Sequence, residues 1–162
     1  MLGHTYDNQI CSIARALDVV GERWSLLIIR DAVFAGVTRF GDIQHNLGIA
    51  TNVLASRLDA FIDAGIMERR RYSDHPEQYE YVLTEKGRDL APALIALTTW
   101  GDRWAANDGP PILYQHDACG GPIEQQILCS NCGPIDGAEV SARPGPGMPL
   151  EYIANRRPKR AR

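Results

Sequence analysis

The apolar residues of this chain recur at helical spacing over most of its first two thirds. This spacing predicts five helices, at residues 7–20, 22–35, 38–47, 50–64 and 84–104. The second of these is apolar nearly all round, which is typical of a central, buried helix. Between the fourth and fifth helices, residues 66–72 and 79–83 are predicted to be short strands, because apolar and polar residues alternate in the second run.

Local residue choices indicate where these helices begin and end. Thr38 is a suitable N-cap for the third helix. Gly48 supplies a tight turn between the third and fourth helices. Pro92 inside the predicted last helix indicates either a kink or a later start for that helix.

Three helices, a hairpin and a long helix follow one another in the order of a winged helix. The sequence therefore predicts a mainly α fold with a small β-hairpin, in which 38–47 and 50–64 form a helix-turn-helix. We predict a DNA-binding and dimerisation domain at residues 1–106. A small Cys/His-rich, zinc-ribbon-like segment at 107–141 and a flexible basic tail at 142–162 would follow it.

Charge is distributed unevenly along the 162 residues, whose formal net charge is -3. Five of the 17 basic residues lie in the last seven positions, so any nucleic-acid interface must depend on a local basic surface. No apolar run approaches the ~18 residues of a membrane-spanning helix, and the N-terminal residues lack a signal-peptide pattern. We therefore expect a cytoplasmic protein with no membrane partner, in which thiols stay reduced.

The predicted recognition helix, Ala50–Ala64, has a polar outward face. Asn52 and Ser56 lie in its first half, whereas Asp59 and Asp63 lie in its second half and would repel phosphates. We expect the first half to enter the major groove of double-stranded DNA, with the hairpin at Tyr72–Tyr79 as the wing. The predicted DNA-binding residues are Arg39, Thr51, Asn52, Ser56, Arg57, Arg69, Arg71 and His75. Periodicity alone leaves open a helical hairpin packed only for stability.

Several ordered stretches carry a family resemblance. They lie at residues 11–31, 38–43, 47–50, 54–58, 65–66, 79–81 and 83–87. Together they resemble HxlR-type winged helix-turn-helix transcriptional regulators, which are related to the MarR class, over about residues 8–106. The resemblance implies a bacterial homodimer that binds a pseudo-palindromic operator. The chain departs from the family in having Ala50 where Ser is frequent and Ser12 where Pro is frequent.

Two helices carry candidate dimer contacts. The last helix has more apolar residues on one stripe than a small winged helix is expected to cover. The predicted dimer-interface residues are Ile10, Ile13, Leu90, Leu94, Leu97, Trp100 and Trp104. Packing of this stripe within the monomer is the alternative.

Two copies of one short pattern predict a structural zinc site. His116 and Cys119, and then Cys129 and Cys132, are each separated by two residues and followed by Gly. One imidazole and three thiolates would complete a closed tetrahedral shell, with Asp117 as a substitute for His116. A Cys129–Cys132 redox pair or thiols in a loop are the alternatives.

Cys11 is a candidate sensor thiol, because some HxlR-type proteins resemble redox or electrophile sensors through a cysteine at this place. A small buried side chain is the alternative interpretation. The sequence therefore leaves open whether a small-molecule or oxidant effector controls the protein.

Two other function classes are compatible with parts of the sequence. Cys11 with His45 or His75 is a candidate catalytic Cys-His pair. Phosphate-loop, nucleophile-elbow and HExxH motifs are absent from the sequence, so we expect no enzyme. A zinc-stabilised protein-interaction module without specific DNA binding is the other class that remains.

Overall fold

The structure is a computed structural model that describes Tyr6, residues 9–149 and residues 151–152. It divides into two compact units, residues 1–123 and 124–162. The Cys/His-rich segment that the sequence predicts at 107–141 therefore contributes residues to both units. The five bases of the predicted tail, at 156–162, lie outside the described residues.

The first unit contains six helices and one hairpin among its described residues. The helices are α1 (Ser12–Val20), α2 (Ser25–Phe34), α3 (Phe40–Leu47), α4 (Thr51–Asp63), α5 (Glu85–Arg88) and α6 (Ala91–Trp104). The hairpin strands are β1 (Met67–Asp74) and β2 (Glu77–Leu83). This order confirms the predicted winged helix-turn-helix, with a mainly helical body and a small antiparallel hairpin.

One apolar core holds these elements together. Ile28 and Ile29 of α2 are fully buried, as the all-round apolar pattern of that helix predicts. Ile43 of α3 and Leu54 of α4 meet them in the same cluster. Each such side chain contributes about 1.5–3 kcal/mol by leaving water, so this shared core fixes the position of both helices of the helix-turn-helix.

The hairpin is longer than its sequence pattern suggested. The strands pair antiparallel from Met67 with Leu83 to Asp74 with Glu77, and a bulge lies between Arg71 and Ser73. Only His75 and Pro76 remain as the connecting turn, where the sequence predicted a connector of six residues. Backbone pairing across the hairpin overrides the turn-forming composition of these residues.

Two predicted helix starts are corrected by the structure. α1 begins at Ser12, so Ile10 precedes the helix instead of lying on its face. The N-cap of α3 is Arg39 and not Thr38. The Thr38 hydroxyl donates to Glu80 Oε2 at 3.0 Å, and its carbonyl accepts from the Tyr81 N–H at 2.7 Å. Thr38 therefore joins β2 to the start of α3.

The predicted last helix is divided in two. Thr84 caps the short α5 by accepting from the Gly87 N–H at 3.2 Å. Pro92 lies in the first turn of α6, where a missing N–H costs no helical hydrogen bond. Of the two outcomes that Pro92 allowed, the structure shows the later start.

Thr84 also fixes the turn after α4. Its hydroxyl donates to the Gly65 carbonyl at 2.7 Å, and its N–H donates to the Ile66 carbonyl at 3.0 Å. Lys86 Nζ donates to the Ala64 carbonyl at 2.6 Å. Side chains and backbone at the start of α5 thus bind the carbonyls that follow the recognition helix.

The second unit has little regular structure. Its strands β3 (Ile127–Cys129) and β4 (Gly133–Ile135) pair antiparallel, and a single 3-10 turn follows at Gly137–Glu139. Asp136 and Glu139 form a capping box around this turn. Within the described part of the chain, no helix is long and apolar enough to cross a membrane.

The Thr84 turn gives a stability prediction. A Cβ added at Gly87 would lie 2.3 Å from the Ile66 carbonyl oxygen and 2.7 Å from Leu83 Cδ2. We expect Gly87→Ala to lower the free energy of unfolding by about 1–3 kcal/mol, as other overpacked sites do. The matched control is Gly41→Ala in α3, where a Cβ meets nothing within 4 Å. Thermal unfolding in which both variants behave alike would contradict the predicted close approach.

Candidate nucleic-acid interface

The recognition helix α4 presents its two faces as its sequence pattern predicts. Leu54, Leu58 and Phe61 are almost fully buried in the core. On the opposite face, Asn52 and Ser56 are exposed in the first half of the helix. This arrangement leaves a small, polar and uncharged surface of one helical turn, which is suited to the edges of bases.

The start of α4 has no side-chain cap of its own. The N-cap is Ala50, and no side chain there accepts from the amides of the first turn. Thr51 is the first helical residue, and its Oγ1 accepts from Gln44 Nε2 of α3 at 2.7 Å. This bond links the two helices of the helix-turn-helix across Gly48, whose φ of 61° ends α3. The Thr51 hydroxyl keeps its own proton to donate.

Arg57 differs from the other predicted DNA-binding residues. Its side chain is only 24% exposed, and its guanidinium lies 3.8 Å from the Glu22 carboxylate. In the free protein Arg57 is therefore paired with the segment before α2, and its contact with DNA stays a prediction. Helical periodicity could not reveal this pairing, because Glu22 lies 35 positions away in the sequence.

The wing carries arginines that are already engaged within the hairpin. Arg71 lies 3.0 Å from Asp74 and 3.6 Å from Glu77, and both ion pairs are exposed. The Arg69 guanidinium lies 3.6 Å from the centre of the Tyr79 ring. Both side chains are exposed, so a phosphate can reach them, but Arg71 would exchange a carboxylate for it.

Two wing residues were missed by the sequence reasoning. Tyr72 is 40% exposed on β1, its hydroxyl donates to Gln78 Oε1, and the Arg39 guanidinium lies 4.5 Å from its ring centre. Tyr72 and Gln78 fell inside the predicted wing but were not singled out, since only the hairpin register brings them together. The predicted wing residue His75 is exposed in the turn.

Glu80 anchors the wing to the helix-turn-helix. Arg70 donates to its Oε1 at 2.8 Å, and Thr38 donates to its Oε2. The hydrogen bond from Arg70, and then that from Thr38, lower the pKa of Glu80. Because the folded-state pKa is lowered, the stabilisation from this anchor is fully present above the usual pKa of a glutamate and is lost as the pH falls through the lowered pKa of the folded state.

At the wing, Tyr79 shows the opposite effect. Its hydroxyl donates to the Glu77 carboxylate, and this hydrogen bond raises the pKa of Tyr79. Glu77 therefore interacts with both Tyr79 and Arg71 at the end of the hairpin. The wing tip is a network of paired groups and not a bare basic surface.

The predicted dimer stripe on α6 is divided by the structure. Leu94 is buried in the core and Leu90 packs against that core, so these two residues serve the monomer. Leu97, Trp100 and Trp104 are 52%, 61% and 66% exposed. The end of α6 thus leaves two indole rings and one leucine in solvent, which is unusual for an isolated domain.

The N-terminal segment adds further exposed apolar side chains. Ile13 is 70% exposed and Leu17 is 40% exposed, and both lie on α1. Ile10 is half-buried just before that helix. Cys11 is the N-cap residue of α1 and is exposed, so the buried alternative for this thiol does not hold.

Two short turns carry the predicted metal ligands. In the first unit, His116 Nδ1 lies 3.2 Å from Cys119 Sγ. In the second unit, the backbone N–H groups of Asn131 and Cys132 donate to the Cys129 sulfur and lower the pKa of this thiol. The hydrogen bond to Cys129 raises the pKa of Cys132. Among the described residues, no group of three or more His, Cys, Asp or Glu side chains is placed to hold a metal ion.

A cavity of about 640 Å³ lies in the first unit. Val33 and Phe34 of α2 and Ile95 of α6 form part of its wall, and residues 112–118 form most of the rest. Its lining is mainly apolar, with a few polar groups. Binding of a small-molecule or oxidant effector, which the sequence leaves open, stays a prediction.

Comparison with known proteins identifies the family. The chain matches the HxlR-like helix-turn-helix family over residues 19–109. It is 45% identical over 156 residues to an uncharacterised HTH-type transcriptional regulator of Mycobacterium tuberculosis (strain ATCC 25618 / H37Rv), and this alignment covers 95% of the chain and 97% of the relative.

Solved structures agree with the sequence comparison. PA1607, named as a candidate transcription factor, superposes with a TM-score of 0.76 at 36% identity, covering 85% of this chain and 97% of that one. The reduced form of the transcriptional regulator YodB from B. subtilis superposes with a TM-score of 0.52 at 30% identity, covering 60% and 96%. The family match over more than half of the chain and the near-complete alignment with the mycobacterial relative show that this chain belongs to the HxlR-like helix-turn-helix family of transcriptional regulators.

Proposed function

We propose that this transcriptional regulator binds a pseudo-palindromic DNA operator as a homodimer, with α4 in the major groove and the β1–β2 hairpin as the wing. The observation that carries this proposal is the outward face of α4. Thr51, Asn52 and Ser56 are exposed together in its first half, while the buried face fixes the helix in place. Asn can pair with adenine through two hydrogen bonds, and Ser and Thr can donate to base or phosphate.

The charge along α4 supports a defined orientation in the groove. Asp59 and Asp63 are exposed in the second half of the helix, where phosphates would be repelled. The N-terminal end has first-turn amides that no N-cap side chain accepts from, and it carries the positive end of the helix dipole; both favour a phosphate. Insertion of the N-terminal half would bring the first-turn amides close to phosphates and keep the two aspartates away from them.

Backbone phosphates would be contacted by the basic residues around the recognition helix. Arg39 at the start of α3, Arg69 and Arg71 on β1, and His75 at the wing tip are all exposed. Such contacts position the protein on the duplex and carry no sequence information themselves. Base reading is therefore assigned to α4 and positioning to the wing.

The exposed ends of α1 and α6 support the homodimer. Leu97, Trp100 and Trp104, with Ile13 and Leu17, leave large apolar side chains in solvent on two helices of one unit. A two-fold axis that covers this surface makes the same residues meet in both subunits. It would also set two recognition helices about one DNA turn, ~34 Å, apart.

Base reading by α4 is tested by removing its polar groups. We expect Asn52→Ala and Ser56→Ala each to weaken operator binding by about 1–3 kcal/mol, roughly 5- to 150-fold, with little change on random duplex. The operator would first be selected from genomic fragments bound by the wild-type protein, and affinities then measured by fluorescence anisotropy. Ser141→Ala, an exposed serine of the second unit, is the control. Equal losses on operator and random DNA would assign these side chains to general affinity instead.

The wing is tested through its ion pairs. Arg71→Ala should lower affinity for every duplex and reduce the slope of log affinity against log salt by about 0.9. The double variant Asp74→Asn/Glu77→Gln should raise affinity for every duplex, because it releases the Arg71 guanidinium from both carboxylates. Arg143→Ala removes an exposed arginine of the second unit and controls for net charge. A salt slope that stays at the wild-type value in Arg71→Ala would rule out a phosphate contact.

The dimer is tested at the centre of the exposed stripe. Trp100→Asp should convert a dimer to a monomer in sedimentation velocity and abolish tight operator binding, because one recognition helix alone makes half of the contacts. Leu128→Asp places the same charge at an exposed apolar residue of the second unit and should leave the dimer intact. A wild-type protein that sediments as a monomer at micromolar concentration would refute this interface.

A further inference from the structure

One concave site in the first unit belongs neither to the DNA interface nor to the exposed stripe of α6. It is the cavity of about 640 Å³ that is lined by the end of α2, the first half of α6 and the segment 112–123. We propose that this cavity binds a small, uncharged aromatic molecule with an N–H or O–H donor, and that its occupancy changes the affinity for the operator. Ligand binding stands on its own, whereas the effect on the operator rests on the proposed function.

A hairpin held by backbone hydrogen bonds forms one wall of the cavity. The Ile123 N–H donates to the Tyr114 carbonyl at 3.1 Å, and the His116 N–H donates to the Gly121 carbonyl at 2.8 Å. The sequence predicted no hairpin here. Because these bonds hold the wall in one shape, the cavity exists before a ligand enters, as small-molecule sites usually do.

The hairpin contacts α2 through a pair of aromatic rings. The ring centroids of Phe34 and Tyr114 lie 4.5 Å apart, and the ring planes are tilted by 45°. Val33 and Ile95 extend the apolar lining. Aromatic rings favour tilted or offset aromatic neighbours, so a further ring in the cavity would gain more from this wall than an aliphatic group of the same area.

Much of the apolar lining is in contact with solvent in the free protein. Phe34, Ile112 and Ile123 are exposed, and so is Leu113 on the same hairpin. Apolar side chains that are exposed together around a concave surface are typical of a binding site. The volume of about 640 Å³ lies within the range of about 300–1,000 Å³ that small-molecule sites have. A ligand in the cavity would remove this apolar surface from water.

The polar part of the lining selects the chemistry of the ligand. Gln115, His116 and Asp117 follow one another on the hairpin, and among the described residues that line the cavity there is no Lys or Arg. The Asp117 carboxylate accepts hydrogen bonds and repels anions. The apolar remainder of the lining would desolvate a full positive charge at a cost. The cavity therefore favours a neutral N–H or O–H donor over either kind of ion.

The cavity and the exposed stripe lie on different sides of α6. Ile95 lines the cavity, whereas Leu97, Trp100 and Trp104 form the exposed stripe. At 3.6 residues per turn, the stripe residues lie roughly 140–200° around the helix from Ile95. A second copy of the chain packed on the stripe would leave the cavity open, so a small molecule is the occupant that fits it.

The walls of the cavity belong to the two elements on which operator binding depends. α2 contributes Ile28 and Ile29 to the core that also holds the recognition helix. α6 carries the exposed stripe that supports the homodimer. A ligand that contacts Phe34 and Ile95 together would bias the position of α2 relative to α6. It would thereby bias the spacing of the two recognition helices, to the extent that it binds one arrangement better than another.

The test uses two matched fluorescent probes and the full chain without DNA. N-phenylnaphthylamine is uncharged and has one N–H donor, and anilinonaphthalenesulfonate adds a sulfonate to the same rings. We expect the uncharged probe to bind at one site per chain, with a blue-shifted emission, and more tightly than the sulfonate. Asp117→Asn should tighten binding of the sulfonate alone, by about 5-fold, because it removes the repulsion between two negative charges.

Two substitutions locate the probe in the cavity. Phe34→Ala removes one ring of the aromatic pair and should raise the Kd of the uncharged probe roughly 2- to 10-fold. Ala118→Trp adds an indole to an exposed position of the lining and should weaken binding by occupying part of the space. Leu128→Ala removes an exposed apolar side chain of the second unit and should leave this Kd unchanged.

Control of DNA binding is measured on the selected operator, with and without saturating uncharged probe. We expect the operator affinity of the wild type to change by about 5-fold or more, which is the usual lower limit of coupling between two sites. The change should be smaller in Ala118→Trp at the same probe concentration, because fewer cavities are occupied.

The cavity site would be refuted by a probe Kd that is the same in wild type, Phe34→Ala and Ala118→Trp. Weakening by Leu97→Ala equal to that by Phe34→Ala would place the probe on the exposed stripe and would refute it as well. An operator affinity that does not respond to saturating probe would refute the control of DNA binding. Probe binding is measured without DNA, so its failure and a failure of the proposed function are distinguishable.

Discussion

The recognition surface depends on the burial of one face of α4. Leu54, Leu58 and Phe61 lie in one core cluster with Ile28 and Ile29 of α2, and the carbonyls just after the helix accept from Thr84 and Lys86. With this face and this end fixed, the helix cannot rotate or slide without exposing these three side chains to water. Exposure would cost about 1.5–3 kcal/mol of stabilisation for each of them. Asn52 and Ser56 face solvent as a direct consequence.

Much of the fold could be predicted from helical periodicity. Where the prediction was wrong, the cause is a local physical interaction. The helices and the hairpin follow in the predicted order, although α1 starts later than predicted, the last helix is divided and the hairpin is longer. Thr38 was assigned as a cap because its residue type favours one, but its hydroxyl finds Glu80 across the hairpin instead. Leu94 was assigned to the dimer surface because it shares a stripe with Trp100, but the first part of α6 lies on the core. Such outcomes depend on tertiary contacts that helical spacing does not contain.

In the candidate site, too, some features could be predicted from the sequence and others could not. Thr51, Asn52 and Ser56 could be predicted, because the outward face of a helix is set once its apolar face is known. The partners of Arg57 and Arg71 could not, because one depends on the approach of the segment before α2 and the other on the register of the hairpin. The glycines at 120 and 133 were visible in the sequence, whereas the backbone pairing around them, an isolated bridge between Gln115 and Pro122 and the β3–β4 ladder, was not.

The recognition helix starts at Ala50 without a capping side chain, in contrast to α5 with its Thr84 cap, and this has a consequence for the free protein. A serine in that position would satisfy a first-turn amide and add about 0.5–2 kcal/mol to helix stability. The unbound regulator forgoes that stabilisation. On the proposed interface, an oxygen of the DNA backbone would accept from a first-turn amide in place of that side chain, so that operator binding would add stability to the helix that contacts the bases.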